Sequence, residues 1–303
     1  MIGSYIAGSK GIRTNQWDLE PQVFNQTKIP TPPLDEQQAI ADYLDRETQR
    51  IDELIAEQRG LIETLRERRE AVIEHFVSVG VSGKLLVKTS LPWVPRMPAS
   101  WGVARMKHDT IIATGGTPDT DNLAFWAEET DTSSVPWVAI SDMSQREVVS
   151  STAKSLTPAG IESKRLSVGE KGTILFAMYA SVGEVSRLEM PSTWNQAILG
   201  ITPGERLDSG YLAYALISMR RFMLGEVRTN TQANLNARQV GDVWLPCPPI
   251  REQREISAYL DDQTSRIDAL IAESEDLITL SLERRAALIT AAVTGQIDVR
   301  AAA

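Results

Sequence analysis

The residues best equipped for chemistry in this chain are groups that hold a ligand rather than transform one. Arg228-Thr229-Asn230-Thr231-Gln232-Ala233-Asn234 places a guanidinium, two hydroxyls and three carboxamides, those of Asn230, Gln232 and Asn234, within seven positions. Such a run can match the donor and acceptor pattern of a polar ligand. It can equally be a turn held by side-chain-to-backbone hydrogen bonds. Gly115-Gly116-Thr117 can aim backbone N–H groups at an anion such as a phosphate, or serve as a plain turn. Asn195 and Gln196 lead into an apolar strand, which favours a structural role and leaves contact open. Lys164 and Arg165 are adjacent cations, readable as a contact pair or as solvated surface.

Signatures of catalysis are missing. No Gly-x-x-x-x-Gly-Lys-Ser/Thr loop occurs, and Gly83-Lys84 lacks both the upstream glycine and the hydroxyl residue. Neither a Gly-x-Ser-x-Gly elbow nor a His-Glu-x-x-His helix is present. The Asn/Asp-Pro-Pro-aromatic motif of an amino-methyltransferase is absent, and Pro118-Asp119 is not followed by the acidic-x-Lys of a nuclease core. One cysteine, Cys247, and two histidines, His75 and His108, cannot build a disulfide framework or a Cys/His metal centre. The expectation is a chain that is not an enzyme and that uses no metal or cofactor.

Composition narrows the classes further. The 303 residues are 42% hydrophobic and 23% charged, ordinary for a globular chain and too apolar for wholesale disorder. No run of about 18 apolar residues exists, so no transmembrane helix is expected. Met1-Ile2-Gly3-Ser4-Tyr5 does not open a signal peptide, and the expected compartment is the cytoplasm. The net charge of −9 argues against a protein that holds nucleic acid alone by bulk electrostatics. It leaves room for one that does so beside positively charged partners.

The elements that must position these groups are organised by an internal repeat. At an offset of 216 residues, Ile29-Pro30-Thr31-Pro32-Pro33-Leu34 falls opposite Leu245-Pro246-Cys247-Pro248-Pro249-Ile250. Glu36-Gln37, Tyr43-Leu44-Asp45, Arg50-Ile51-Asp52, Leu54-Ile55-Ala56-Glu57 and Glu67-Arg68-Arg69 all recur in the same register, without a gap. Each copy carries apolar residues at spacings of three, four and seven: Ile40, Leu44, Ile51, Ile55, Ile62, Leu65 in the first, and Ile256, Leu260, Ile267, Ile271, Ile278 in the second. That stripe predicts two helices of roughly 60 Å. Each follows a Pro-Pro pair suited to a helix start. A stripe so long needs a partner, and the sibling copy is at hand, so an antiparallel coiled coil is expected.

Between the copies the pattern changes. Turn signals multiply at Thr114-Gly115-Gly116-Thr117-Pro118, Thr157-Pro158-Ala159-Gly160 and Thr202-Pro203-Gly204. Short apolar runs at Val135-Pro136-Trp137-Val138, Thr173-Ile174-Leu175-Phe176-Ala177 and Ala197-Ile198-Leu199-Gly200-Ile201 read as strands, with one helix at 211–225. The fold class is therefore α+β: a strand-rich mixed globular domain flanked by two long helices.

Gln232-Ala233-Asn234-Leu235-Asn236, then Leu245-Pro246-x-Pro248-Pro249-Ile250-x-Glu252-Gln253, then a helix with Arg266-Ile267-Asp268, resembles a region of type I restriction-modification specificity subunits. Thr114-Gly115-Gly116-Thr117-Pro118, Phe125-Trp126, Pro136 to Met143 and Trp194-Asn195-Gln196 resemble that family's target recognition domain, and Ala292-Val293-Thr294-Gly295 its ending. The resemblance covers nearly the whole chain. It implies residues 1–30 as the end of a first recognition domain, 31–80 as the first conserved helix, 81–97 as a linker, 98–246 as one complete recognition domain, and 247–303 as the second helix and tail.

Full specificity subunits read a split target with two recognition domains, so the resemblance implies a subunit missing most of its first half. It would read one half-site of double-stranded DNA. It would be non-catalytic and would dock DNA methyltransferase subunits, and a restriction translocase with them, through the coiled coil. It would work alone, as a homodimer, or with another partial specificity subunit. A rod of about 60 Å corresponds to roughly 15–20 base pairs as an upper scale for the distance between two readers. Contact with DNA, to phosphates or to base edges, would draw on Gly115, Gly116, Thr117, Lys164, Arg165, Asn195, Gln196, Arg228, Asn230, Gln232 and Asn234. Residues 92–246 hold fourteen Lys and Arg against sixteen Asp and Glu, so contact would depend on groups placed locally. The competing readings are a helical-hairpin module that binds protein, and an inactive fragment without DNA recognition.

Overall fold

A computed structural model of the chain describes residues 9–13, 16–19, 25, 31–127, 131–144, 147–179, 181–228 and 235–299. In chain order the elements are β1 (Ser9–Arg13), β2 (Gln16–Leu19), α1 (Leu34–Val79), β3 (Leu86–Lys88), β4 (Arg96–Pro98), β5 (Gly102–Arg105), α2 (Met106–Asp109), β6 (Thr110–Thr114), β7 (Val135–Val138), α3 (Ile140–Met143), β8 (Val148–Val149), β9 (Lys154–Leu156), α4 (Pro158–Lys164), β10 (Ile174–Ala177), β11 (Val185–Leu188), β12 (Thr193–Trp194), β13 (Ile198–Pro203), α5 (Ser209–Arg228), α6 (Ala237–Gly241), β14 (Trp244–Cys247) and α7 (Ile250–Val293). Two long helices flank a strand-rich region, and none among the described residues is long and apolar enough to cross a membrane. The chain divides into two compact units, 1–63 with 271–303, and 64–270.

The repeated sequence makes the same local structure twice. At the start of α1, the Pro33 carbonyl accepts the N–H groups of Glu36 and Gln37, each at 3.0 Å. The Gln37 carboxamide donates back to the Pro32 carbonyl at 2.8 Å. At the start of α7, the Gln253 N–H reaches the Pro249 carbonyl at 3.0 Å, and its carboxamide reaches the Pro248 carbonyl at 2.7 Å. The Pro-Pro-x-x-Glu-Gln pattern is thus a helix start in which a glutamine five residues on satisfies a carbonyl left outside the helix ladder.

In the 1–63/271–303 unit, Ile51, Ile55 and Ile62 of α1 are buried, as are Ser274, Ser281 and Ala292 of α7. Arg285 forks onto Asp52, Nε to Oδ1 at 3.0 Å and Nη2 to Oδ2 at 3.2 Å. In the 64–270 unit, Arg69 forks onto Asp268, at 2.9 and 3.3 Å. Phe76 packs on Tyr259 in the same unit, ring centroids 4.4 Å apart. Residue numbers rise on one helix as they fall on the other, so the pairing is antiparallel. The two Arg–Asp bridges are one bridge repeated, since Asp52 and Asp268, and Arg69 and Arg285, are equivalent at the 216-residue offset.

The middle domain lies wholly in the 64–270 unit. Its main sheet has the order β6-β13-β10-β11-β8, antiparallel except for the parallel β11–β8 edge. All four residues of β10 are buried, which period-2 alternation permits only if both faces are covered. Ile174 and Phe176 face Leu212, Leu216 and Met219 of α5, in one core cluster. Leu175 and Ala177 face Val138, Met143 and Trp194, in another. A second sheet, β12-β7-β9, lies on that second side. The stretch 81–97 is more than a connector. Strand β3 pairs with β4, and Leu91 and Val94 are buried.

Candidate nucleic-acid interface

Trp194 organises the candidate loops. It ends β12, whose backbone pairs in parallel with β7, and its indole is buried. Three glycines leave the space it fills. A Cβ on Gly200 would lie 1.9 Å from its ring, one on Gly115 2.4 Å and one on Gly169 2.8 Å. The sheet and two loops therefore close on this side chain only because those positions lack a Cβ. Gly115 and Gly116 are fixed against it: the Gly116 N–H donates to the Trp194 carbonyl at 2.9 Å and the Gly115 N–H to the Ile198 carbonyl at 3.3 Å. From the sequence alone these N–H groups are free to face a phosphate. The structure assigns them to the protein's own carbonyls, because the loop crosses β12 and β13 there.

The next residues form the exposed face. The Thr117 hydroxyl donates to the Gln196 side-chain carbonyl. The Gly116 carbonyl accepts the Trp137 indole N–H at 2.9 Å. Asn195 turns its side chain inward on its own loop, accepting the Ala197 N–H at 2.9 Å, so its carboxamide carbonyl shapes the loop. Gln196 is exposed. A Cβ on Gly116 would lie 3.8 Å from the Lys164 Cβ, which brings the end of α4 beside the same loop. Arg165 caps α4 in the left-handed conformation, φ 51° and ψ 48°, with its N–H bonded to the Glu162 carbonyl at 3.0 Å. It is the sole non-glycine residue with positive φ among those described. That conformation costs on the order of 1 kcal/mol and ends the helix there, with Lys164 and Arg165 both exposed.

Gly115, Gly116, Thr117, Lys164, Asn195 and Gln196 are thus brought together, with Arg165 beside them. Of Arg228 the structure describes the backbone. This residue ends α5, whose apolar side belongs to the core on the other face of the main sheet. Asn230, Gln232 and Asn234 lie outside the described residues. Sequence reasoning missed Lys154, whose ammonium sits 5.0 Å from the centre of the Trp126 ring. Trp126 in turn meets Trp137 edge to face at 5.2 Å. The only sequence signal for it was a lysine two residues ahead of the Leu156-Thr157-Pro158 turn. Together these residues offer hydroxyl, carboxamide, ammonium and guanidinium groups: hydrogen-bond readers and phosphate partners. Among the described residues no cluster of His, Cys, Asp and Glu could hold a metal ion.

Residues 109–280 match the family model "Type I restriction modification DNA specificity domain". The Type I restriction enzyme MjaIX specificity subunit of Methanocaldococcus jannaschii is 26% identical over 194 residues, 63% of this chain and 44% of that protein. The Type I restriction enzyme EcoR124I/EcoR124II specificity subunit of Escherichia coli is 23% identical over 153 residues, 48% of this chain and 37% of that protein. The alignments thus span less than half the length of these relatives. Among solved structures, a chain from work on complex assembly and conformational transition of the type I R-M system superimposes with a TM-score of 0.73 at 18% identity, covering 96% of this chain and 67% of that one. The HsdS subunit of Thermoanaerobacter tengcongensis gives 0.52 at 17% identity, covering 98% and 67%.

Proposed function

The chain belongs to the type I restriction-modification DNA specificity family, and on that premise we propose that its middle domain reads one half-site of a split double-stranded DNA target. The observation that carries this reading is the meeting of Thr117, Gln196 and Lys164 from three separate segments within the matched region, with Arg165 next in sequence and with Gln196, Lys164 and Arg165 exposed. In the reading we propose, Gln196 and Arg165 hydrogen-bond to base edges, while Lys164, Lys154 and the Thr117 hydroxyl fix the register on phosphates. Arg228, Asn230, Gln232 and Asn234 form a second candidate contact. The domain boundaries proposed from the sequence, with the recognition domain at 98–246, place both groups in the same domain.

A net charge of −9 opposes unaided DNA binding, and supports a reader that works inside a complex. We therefore assign the chain no chemistry of its own. It docks DNA methyltransferase subunits through α1 and α7 in the cytoplasm, with a restriction translocase as a further partner. The other half-site would come from a second copy or from another partial specificity subunit.

The test is selection from a randomised duplex library by the chain co-purified with a DNA methyltransferase subunit. The expected outcome is one enriched half-site of fixed sequence. Gln196→Ala and Arg165→Ala should relax the preference at single positions, by about 1–3 kcal/mol each. Lys164→Ala should weaken all sequences alike and reduce the salt dependence. A stoichiometric complex that enriches no sequence would overturn the reading.

A further inference from the structure

Gln253 of α7 is hydrogen-bonded to Arg206 and Asp208 of the middle domain, and two further kinds of contact hold that domain to the helix segments of the 64–270 unit. One is apolar: Ile73 and Val77 of α1, Ile256 and Leu260 of α7, and Tyr211, Tyr214 and Ala215 of α5 share one buried cluster. Apolar packing is non-directional and by itself leaves the mutual angle weakly specified. The other is a set of charges with definite polarity. At the β8–β11 edge of the main sheet the Arg187 N–H donates to the Glu147 carbonyl at 2.8 Å, so these two residues are neighbours. The Glu147 carboxylate takes a hydrogen bond from the Arg69 guanidinium on α1. The Arg187 guanidinium lies 3.7 Å from the Asp261 carboxylate on α7. The sheet edge thus offers one negative and one positive group, and the two helices answer with the opposite signs.

Both helix groups are themselves held in place. Arg69 is forked onto Asp268, which fixes the plane of its guanidinium. Asp261 accepts the Tyr214 hydroxyl at 2.8 Å. The repeat supplies an internal control. Arg285, equivalent to Arg69, bonds Asp52 alone among the described residues, and its side chain is 37% exposed against 19% for Arg69.

We propose that the Arg69–Glu147 and Arg187–Asp261 pairs form an orientation clamp that fixes the angle at which the middle domain is carried on these helix segments. Arg69 and Glu147 are then positioning residues. A domain displaced along the helices brings Glu147 toward Asp261, or Arg187 toward Arg69, and like charges oppose the move. The consequence for target reading rests on the function proposed above; the clamp itself does not.

The experiment is a spin-label distance measurement on the full chain with Cys247→Ala, labelled at Glu67→Cys on α1 and Ser167→Cys in the middle domain. The parent should give one narrow distribution. Arg69→Gln and Glu147→Gln should each widen it at least two-fold, and Glu147→Lys should move its centre, with the melting temperature within a few degrees of the parent. In the unsubstituted chain, 0.5 M NaCl should widen the distribution, because the Debye length falls to about 4 Å and these pairs are partly exposed. The salt measurement decides the matter if a variant does not fold. Distributions unchanged by substitution and salt would overturn the clamp. A widened distribution in a chain whose methyltransferase complex selects no DNA would keep the clamp and remove the DNA reading. If that complex does select a half-site, Glu147→Lys should lower its preference over random DNA at least ten-fold.

Discussion

The two copies of the repeated helix start share their local structure and differ in what surrounds it. Gln37 and Gln253 make the same bond to a proline carbonyl five residues back. Gln37 is exposed, whereas Gln253 is fully buried, donates also to the Arg206 carbonyl at 2.8 Å and accepts the Asp208 N–H at 2.8 Å. Tyr211, wholly buried, joins the second copy through its hydroxyl to the carbonyl of Pro246 at 3.1 Å. One motif therefore does two jobs. It starts a helix in both copies and, among the described residues, fastens a helix to the middle domain in the second.

That comparison can be broken or sharpened by equivalent substitutions. The largest asymmetry is expected for Leu260 and Leu44, which occupy the same repeat position. Leu260 is wholly buried and Leu44 only partly. Leu260→Ala should cost about 3–4 kcal/mol and Leu44→Ala about 1 kcal/mol, read from denaturant midpoints. Equal costs would mean that burial against the middle domain adds nothing.

Next, Gln253→Ala should cost about 2–3 kcal/mol, because it removes three bonds and leaves buried backbone groups without partners, against under about 1 kcal/mol for Gln37→Ala. A similar range applies to Tyr214, which packs in the same buried cluster as Ile256 and Leu260 of the second copy. Burial, with the neighbouring Asp261 charge adding to it, pushes its hydroxyl up to about 12, against an opposing hydrogen bond from Thr264. The folded state thus favours the protonated phenol. Its contribution is fully present below about pH 10, the unfolded value, and is lost as pH rises from there through about 12. Tyr214→Phe should flatten the alkaline limb of a stability–pH profile by on the order of 2 kcal/mol; an unaltered limb would assign that limb to other groups. The smallest difference is expected between the repeated arginines. Arg69→Ala should cost about 1 kcal/mol and Arg285→Ala about 0.5 kcal/mol, both reduced by salt, since each pair is partly exposed.

Much of this architecture was legible in the sequence, and for a physical reason. Helices, their starts and the coiled-coil stripe depend on residues three to seven apart, so Ile51, Ile55 and Ile62 announce a buried face without knowledge of the fold. The strands at Val135, Ile174 and Ile198 showed themselves as short apolar runs between turns. The candidate interface was legible in composition and not in arrangement. Thr117 and Gln196 are 79 positions apart, and nothing local in either segment specifies their bond. The slot for Trp194 left a trace in Gly115, Gly169 and Gly200, but a lone glycine signals a turn as readily as a missing Cβ. The left-handed cap at Arg165 left no trace, because the residue type opposes the conformation it adopts.

The reciprocal bridges also set a timetable for synthesis. Arg69 and Asp268 are 199 positions apart, and Asp52 and Arg285 are 233 apart. At a translation rate of about 5–20 residues per second, α1 leaves the ribosome roughly 10–40 s before the segments it pairs with. The proline–glutamine start can form at once, since its bond spans five residues. The apolar stripe cannot be covered by its sibling for that interval. The nascent chain thus carries an uncovered apolar stripe while the middle domain is made, a window in which a chaperone or another helix of the same kind can compete for it.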